Sequence, residues 1–286
     1  MAINTLKAWL LMSVLTVLLI LIGSAIGGRS GAMLFFIIAL AMNFFTFFFS
    51  DSIAIKMTRS YSITENEAPE LYAIIRRLSQ RAGMPMPKVF ITPSEQPNAF
   101  ATGRGPSHAA VAVTEGLLHL LSRSELEGVL AHEMAHIKNR DVLIGTIVAS
   151  LAGAITMIAN MLQWGLMFGG LRGDDEEEGG GIAGLVGSLV MIIVAPIAAM
   201  LVQMAISRSR EYEADATGAR IAGLPDGLAN ALLKLERGVR QIPMQVNPAT
   251  SHLFIINPLS GETVARLFST HPPIEERVKR LKEMRG

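Results

Sequence analysis

The chain has 286 residues, 50% of them hydrophobic and only 17% charged, with a formal net charge of +1. Such a composition is that of a membrane protein, and the dispersed basic residues give no reason to expect a nucleic-acid partner. The absence of cysteine excludes disulfide frameworks, thiol nucleophiles, iron–sulfur clusters and cysteine-ligated zinc. Any bound metal must therefore be held by His, Asp and Glu.

Two apolar stretches open the chain, at residues 6–28 and 32–50, and the only charge within them is Lys7. Each is long enough to cross a hydrocarbon core of about 30 Å, which needs roughly 20 residues. A cleaved signal peptide would account for the first stretch alone. Since a second stretch follows after the short Arg29-Ser30-Gly31 turn, we expect a transmembrane hairpin over residues 1–50.

Beyond residue 50 the composition becomes that of a soluble domain, which we expect to begin at residue 51. Residues 65–82 read as an amphipathic helix that Gly83 ends, and Pro69 is tolerated there only near the first turn. Short extended segments follow at 88–92, 98–102 and 109–114, which predict a small sheet. An edge strand beside a catalytic centre could bind an extended peptide by strand addition. The alternative is a sheet that only packs against the next helix.

That next helix is predicted over residues 122–141. Ser122 or Ser124 can cap its N-terminus, and Glu125 and Glu127 place negative charge in the first turn, where the helix dipole favours it. Apolar residues recur at helical spacing through the stretch.

Within this helix lies an H-E-x-x-H pattern formed by His132, Glu133 and His136. Histidines four residues apart share one helix face and can bind one metal ion, while Glu133 lies beside the ion as a general base. The alternative is that the two histidines are ordinary core residues. A metal site of this kind needs a third protein ligand.

Two further apolar stretches, 142–168 and 182–206, flank an acidic, glycine-rich loop. We therefore expect a second transmembrane hairpin over 142–206, and four spans in all. The soluble parts, 51–141 and 207–286, would together form one α+β domain. Basic residues near the span ends are concentrated on one side, which should be cytoplasmic and would carry both termini and the metal site. On that side are Lys7, Lys56, Arg59, Lys138, Arg140, Arg208 and Arg210, against Arg29 and Arg172 on the other.

The best candidate for the third ligand is Glu211, directly after the fourth span. Glu211 and Asp215 are four residues apart in a predicted helix, so one carboxylate can bind metal while the other accepts a hydrogen bond from a ligating imidazole. On spacing alone, Glu213 and Asp215 remain alternative ligands.

Together these features resemble the HtpX-type membrane zinc metalloproteases, relatives of the eukaryotic CAAX prenyl endopeptidase. The likeness covers nearly the whole chain, including Pro97–Gly103, the H-E-x-x-H helix, Arg210–Ala216 and Ser269–Pro273. It implies an α-helical membrane protein with four transmembrane helices and a zincin-like (gluzincin) domain that binds one Zn²⁺ ion. It further implies a bacterial inner-membrane endopeptidase, in contact with the lipid bilayer, which cleaves unfolded or misfolded membrane-protein polypeptides at the cytosolic face.

The resemblance also assigns roles to individual residues. Glu211 is the third ligand and Asp215 its neighbour behind a ligating imidazole. His271 and Arg277 would stabilise the oxyanion of the reaction, although His271 read alone is a turn residue before two prolines. The edge strand that pairs with substrate would consist of Asn98, Ala99, Phe100 and Ala101.

Two other functions fit parts of the pattern. A peptidase with one dedicated processing substrate would keep the same site. A metal-binding transporter or scaffold would use the histidines without catalysis; against the transporter, the candidate ligands lie beyond the span ends rather than at mid-membrane. Against the scaffold, zinc binding alone does not need Glu133.

Overall fold

The computed structural model describes residues 2–145, 147, 208–242, 253–256 and 272–284. Most of the second apolar hairpin, predicted over 142–206, lies outside the described residues together with its acidic loop, so the expected number of four spans stays a prediction.

The N-terminal hairpin is a helix, α1 (Ala2–Phe48), that bends sharply at Gly27 and Gly28. Gly28 has φ 56°, a backbone conformation that glycine adopts without penalty, and the bend lies just before the Arg29-Ser30-Gly31 turn expected from the sequence. The arms lie side by side, since Asn43 Nδ2 donates to the backbone oxygen of Met12 at 3.2 Å. The arm Gly27–Phe48 is long and apolar enough to cross a membrane, and the other arm contains a shorter apolar helix, Ala8–Leu21.

After α2 (Ser50–Met57), helix α3 spans Pro69–Ala82. It begins four residues later than residue 65, where the sequence predicted its start. Pro69 occupies the first turn, and Ala68 before it has φ −141°, because a residue preceding proline is pushed out of the helical region. The predicted end is confirmed, with Gly83 in the left-handed conformation at φ 66°.

The predicted sheet is confirmed and gains a short fourth strand. Its strands are β1 (Tyr61–Ser62), β2 (Lys88–Thr92), β3 (Ala99–Gly105) and β4 (His108–Thr114), in the order β1-β2-β4-β3. Strands β2 and β4 are parallel, whereas β3 pairs antiparallel with β4. Strand β3 is therefore at one edge of this sheet.

The remaining helices are α4 (Glu115–Leu120), α5 (Arg123–Asn139), α6 (Arg208–Ala222), α7 (Asp226–Gln241) and α8 (Ile274–Glu283). Helix α5 carries the H-E-x-x-H pattern, and a capping box between Ser122 and Glu125 begins it. Helices α3, α6 and α7 and strand β3 pack around α5, so its central residues are buried.

Beyond α5 the chain enters the stretch for which a second transmembrane hairpin is predicted. Residues 141–145 are again helical, and Leu143 and Ile144 pack with Leu11 and Leu15 of the first arm of α1. The end of α5 and the N-terminal part of α1 are therefore side by side.

Candidate metal centre

His132 and His136 direct one ring nitrogen each to a common point. Their Nε2 atoms are 3.1 Å apart, one helical turn apart on α5. Glu211 faces them from the first turn of α6, with carboxylate oxygens 3.7 Å from Nε2 of His132 and 3.5 Å from Nε2 of His136. One ligand atom from each of the three residues lies within 4.8 Å of the others. Two imidazoles and a carboxylate suit a divalent metal ion with one coordination position left open.

The three acids near the start of α6 do not share this position. Glu211 is nearly buried against the two histidines, whereas Glu213 is exposed to solvent on the opposite side of the helix. Asp215 is buried one turn further along and contacts the other nitrogen of His132. The geometry thus favours Glu211 among the ligands that spacing left open.

His132 is backed by two buried charged groups. Asp215 Oδ1 is 2.9 Å from His132 Nδ1, and the same carboxylate accepts two hydrogen bonds from Arg277, at 2.8 Å from Nε and 2.7 Å from Nη2. Burial would raise the pKa of Asp215, but Arg277 and His132 outweigh it and hold that pKa well below its usual range. An anionic Asp215 keeps the proton of His132 on Nδ1 and leaves Nε2 free to bind a cation.

His136 has a carboxylate of its own. Asp141 Oδ2 is 3.1 Å from His136 Nδ1. Burial alone would lower the pKa of His136, but the charges of Glu211, Asp141 and Glu133 together raise it to about 9. The surroundings of His136 are thus strongly negative, as a cation site requires.

Glu133 lies next to these groups without joining the set of three. It is only 2% exposed, and its carboxylate accepts a hydrogen bond from the backbone N–H of Ala101 in β3. Burial raises the pKa of Glu133, against the opposing effect of the two histidines. A carboxylate whose pKa is moved toward neutrality is suited to accept and return a proton. The contact also brings β3 directly to the general-base candidate.

The open edge of β3 is partly covered by the chain itself. Phe254 forms an antiparallel bridge with Phe100, and Ile255 N–H donates to the backbone oxygen of Ala99 at 3.0 Å. The side chain of Asn98, one residue before β3, donates from Nδ2 to the backbone oxygen of Ile256 at 2.8 Å. The predicted substrate strand is thus an edge strand beside the centre, and residues 253–256 pair with its first half.

Of the two residues expected to stabilise the oxyanion, the structure describes Arg277 but not His271. Arg277 is brought to the centre, fully buried, with two donors bonded to Asp215 and Nη1 at 3.7 Å from Glu211 Oε2. His271 lies outside the described residues.

Sequence reasoning missed Asp141 and Arg210. Both stand next to recognised positions, Asp141 just after the H-E-x-x-H helix and Arg210 just before Glu211. Arg210 is 9% exposed. Burial lowers the pKa of its guanidinium, and the charges of Asp141 and Glu211 act in the opposite direction.

Comparison with known proteins agrees with this geometry. The model of Peptidase family M48 matches residues 65–285. A "Protease HtpX homolog" from Pelotomaculum thermopropionicum is 67% identical over 281 residues, covering 98% of this chain and 99% of the relative. Another, from Desulfatibacillum aliphaticivorans, is 56% identical over 278 residues, covering 97% of this chain and 89% of the relative.

A solved structure is also similar. The crystal structure of S. mikatae Ste24p superposes with a TM-score of 0.51 at 21% identity, covering 98% of this chain and 64% of that chain. At this identity the likeness concerns the fold.

Proposed function

We propose, from the premise that this chain belongs to peptidase family M48 and is a metalloprotease, that it is a membrane-anchored zinc endopeptidase acting on misfolded or damaged membrane proteins at the cytoplasmic face. The observation that carries the proposal is the convergence of His132, His136 and Glu211 within 4.8 Å, with buried Glu133 beside them. A metal scaffold would need the three ligands. It would have no use for Glu133, a buried acid beside them that binds no metal.

Each residue of the centre has a proposed task. Zinc, held by His132, His136 and Glu211, would supply Lewis-acid chemistry that lowers the pKa of water and polarises a peptide carbonyl. Glu133 would accept a proton from the attacking water as the new C–O bond forms. It would then donate that proton to the peptide nitrogen as the C–N bond breaks, so that one carboxyl and one amine leave.

The groups behind the ligands would keep this arrangement rigid. Asp215 would hold His132, and the two hydrogen bonds of Arg277 to Asp215 favour a supporting role for Arg277 over the oxyanion role expected from the resemblance. His271 stays the candidate for the oxyanion. Losing one such donor would reduce kcat about 10²–10³-fold.

The membrane arrangement is proposed from the N-terminal hairpin and its contacts. The α1 hairpin supports membrane anchoring, and its contact with Leu143 and Ile144 supports placing the N-terminus and the end of α5 on one side. We propose four spans, with 51–141 and 207–286 together on the cytoplasmic side. A reporter fused after Gly286 that is active only in the periplasm would overturn this orientation.

The protease mechanism is tested by Glu133→Gln. The amide keeps the shape of the carboxylate but accepts no proton at neutral pH, so the variant should retain zinc while cleavage of an unfolded protein in detergent falls by at least about 10²-fold. Glu213→Gln, at an exposed acid of α6, is the matched control and should leave both zinc content and cleavage unchanged. Wild-type cleavage by Glu133→Gln would remove the mechanism, and absence of zinc from the wild type would remove the metal site.

Substrate pairing with Asn98, Ala99, Phe100 and Ala101 requires residues 253–256 to leave the edge. The bond from Ile255 to Ala99 makes Phe100 and Phe254 a non-hydrogen-bonded pair, whose Cα atoms are about 4.5 Å apart in such ladders, within reach of a disulfide.

A disulfide introduced at this pair would fix residues 253–256 to β3 reversibly, because the chain has no native cysteine to form other disulfides. The double variant Phe100→Cys, Phe254→Cys should lose cleavage on oxidation and regain it with a reductant, while each single variant is indifferent to both treatments. If the oxidised double variant cleaves as fast as its reduced form, substrate binds elsewhere and residues 253–256 are a fixed part of the sheet.

A further inference from the structure

Asp141 reaches His136 because the chain turns abruptly after α5. In an uninterrupted α-helix a residue five positions on is rotated by about 140° from the first, so its side chain would point away from it. Here the residue between α5 and Asp141 is Arg140, whose φ of 61° and ψ of 28° are left-handed. Its backbone N–H still bonds to the carbonyl oxygens of His136 and Ile137. The turn at Arg140 therefore aims Asp141 back at its own helix.

The contact that results is buried and specific. Asp141 Oδ2 lies 3.1 Å from Nδ1 of His136, and the Asp141 side chain is 9% exposed. The opposite nitrogen of the same ring, Nε2, lies 3.5 Å from Glu211 Oε1. A carboxylate at Nδ1 holds a ring proton there and fixes the plane of the ring, so that in the neutral imidazole Nε2 presents its lone pair to the centre.

We infer that Asp141 is the positioning residue of His136, so that each imidazole of the centre has its own carboxylate. For His132 that carboxylate is Asp215. The inference rests on the metal site of the proposed function and extends it to a residue outside the ligand set.

The test is zinc affinity of the full chain in detergent, measured by competition with a chromophoric chelator. Removing a partner of a ligating histidine typically costs 10–100-fold in metal affinity, so Asp141→Asn should weaken zinc binding by about that factor. Asp141→Glu should recover part of the loss, since the carboxylate is kept. Asp51→Asn, at an acid that pairs with Lys88 and not with the residues of the centre, is the control and should bind zinc like the wild type.

A second readout separates positioning from simple structural support. Cobalt substituted into Asp141→Asn should show a shifted visible absorption spectrum, because a freed His136 ring changes the ligand geometry, whereas a merely less stable fold would leave the spectrum of the folded fraction unchanged. Wild-type affinity and spectrum in Asp141→Asn would overturn the inference while leaving the metal site intact. Absence of zinc binding by the wild type would instead refute the proposed function.

Discussion

His132 and His136 lie one helical turn apart and face the same point, yet the groups behind them come from different parts of the chain. Asp215 and Arg277 support His132, and Arg277 lies 145 residues away from it. Asp141 supports His136 from five residues away. The His132 side chain is 1% exposed and the His136 side chain 16%. The first support therefore exists only once α6 has docked on α5 and α8 on α6, whereas the second follows directly after the end of α5.

Among substitutions that distinguish the two supports, removal of Arg277 should lower the free energy of unfolding most. Arg277→Ala would leave Asp215 as a buried carboxylate without its cation, and breaking a buried pair in this way costs about 3–5 kcal/mol. We expect the free energy of unfolding of the zinc-free protein in detergent to fall by that amount, with zinc affinity falling too because Asp215 no longer holds His132. Arg277→Lys should recover little, since an ammonium cannot make two parallel bonds to one carboxylate.

Arg76 provides the matched control. It makes the same two-pronged contact, to Glu65 at 2.8 and 2.6 Å, but both side chains are about half exposed. Arg76→Ala should therefore cost less than about 1 kcal/mol. Similar losses in Arg76→Ala and Arg277→Ala would mean that burial of the His132 support adds nothing to stability.

The same contrast explains what could be predicted from the sequence. The two histidines and Glu133 were recognisable because helical spacing places them together in any helix. Glu211 was recognisable because it directly follows the last apolar stretch and precedes Asp215 by one helical turn. Asp141 was missed because helical spacing places it on the wrong face of α5. The positive φ of Arg140, which turns Asp141 back toward His136, cannot be predicted from an arginine in the sequence.

Tertiary pairing limited prediction in the other soluble elements as well. Strands at 88–92 and 109–114 were visible from their β-branched content, and Pro69 signalled its helix start within a few residues. The pairing of Phe254 with Phe100 was not predicted, because a single bridge from a distant apolar segment depends on the finished fold. The buried contacts of Arg277 with Asp215 likewise form only when α8 packs against α6.

Gly218 offers a way to disturb the His132 side without touching a charged group. A Cβ at Gly218 on α6 would lie 2.9 Å from the backbone N and Cα of His132, closer than packed atoms allow. Gly218→Ala should therefore push α6 away from α5, cost about 1–3 kcal/mol in unfolding free energy, and weaken zinc binding because Glu211 and Asp215 move with the helix.

Gly128→Ala is the control for this change. Its Cβ would clash with the backbone of Gly227 and Leu228, at the contact of α5 with α7, which carries none of the described ligands. We expect a comparable loss of stability with unchanged zinc affinity in the folded fraction. Equal losses of zinc affinity in the two variants would show that any distortion of α5 disturbs the centre, and that the contact of α6 with His132 has no special role.

The smallest expected effect is at Arg140, and it tests the local support of His136. A left-handed conformation costs an L-residue roughly 1–2 kcal/mol, which glycine avoids, although glycine also gives the unfolded chain about 0.5–1 kcal/mol of extra freedom. Arg140→Gly should therefore change the unfolding free energy by no more than about 1 kcal/mol and leave zinc affinity unchanged. Arg140→Val removes the same charge but introduces a β-branched side chain that resists a positive φ, so it should be less stable than Arg140→Gly by roughly 1–2 kcal/mol. Because relief of that strain would pull Asp141 away from His136, the valine variant should also bind zinc more weakly than the glycine variant. Equal zinc affinities in the two variants would mean that Asp141 finds His136 without this turn, and the support of His136 would then be no more local than that of His132.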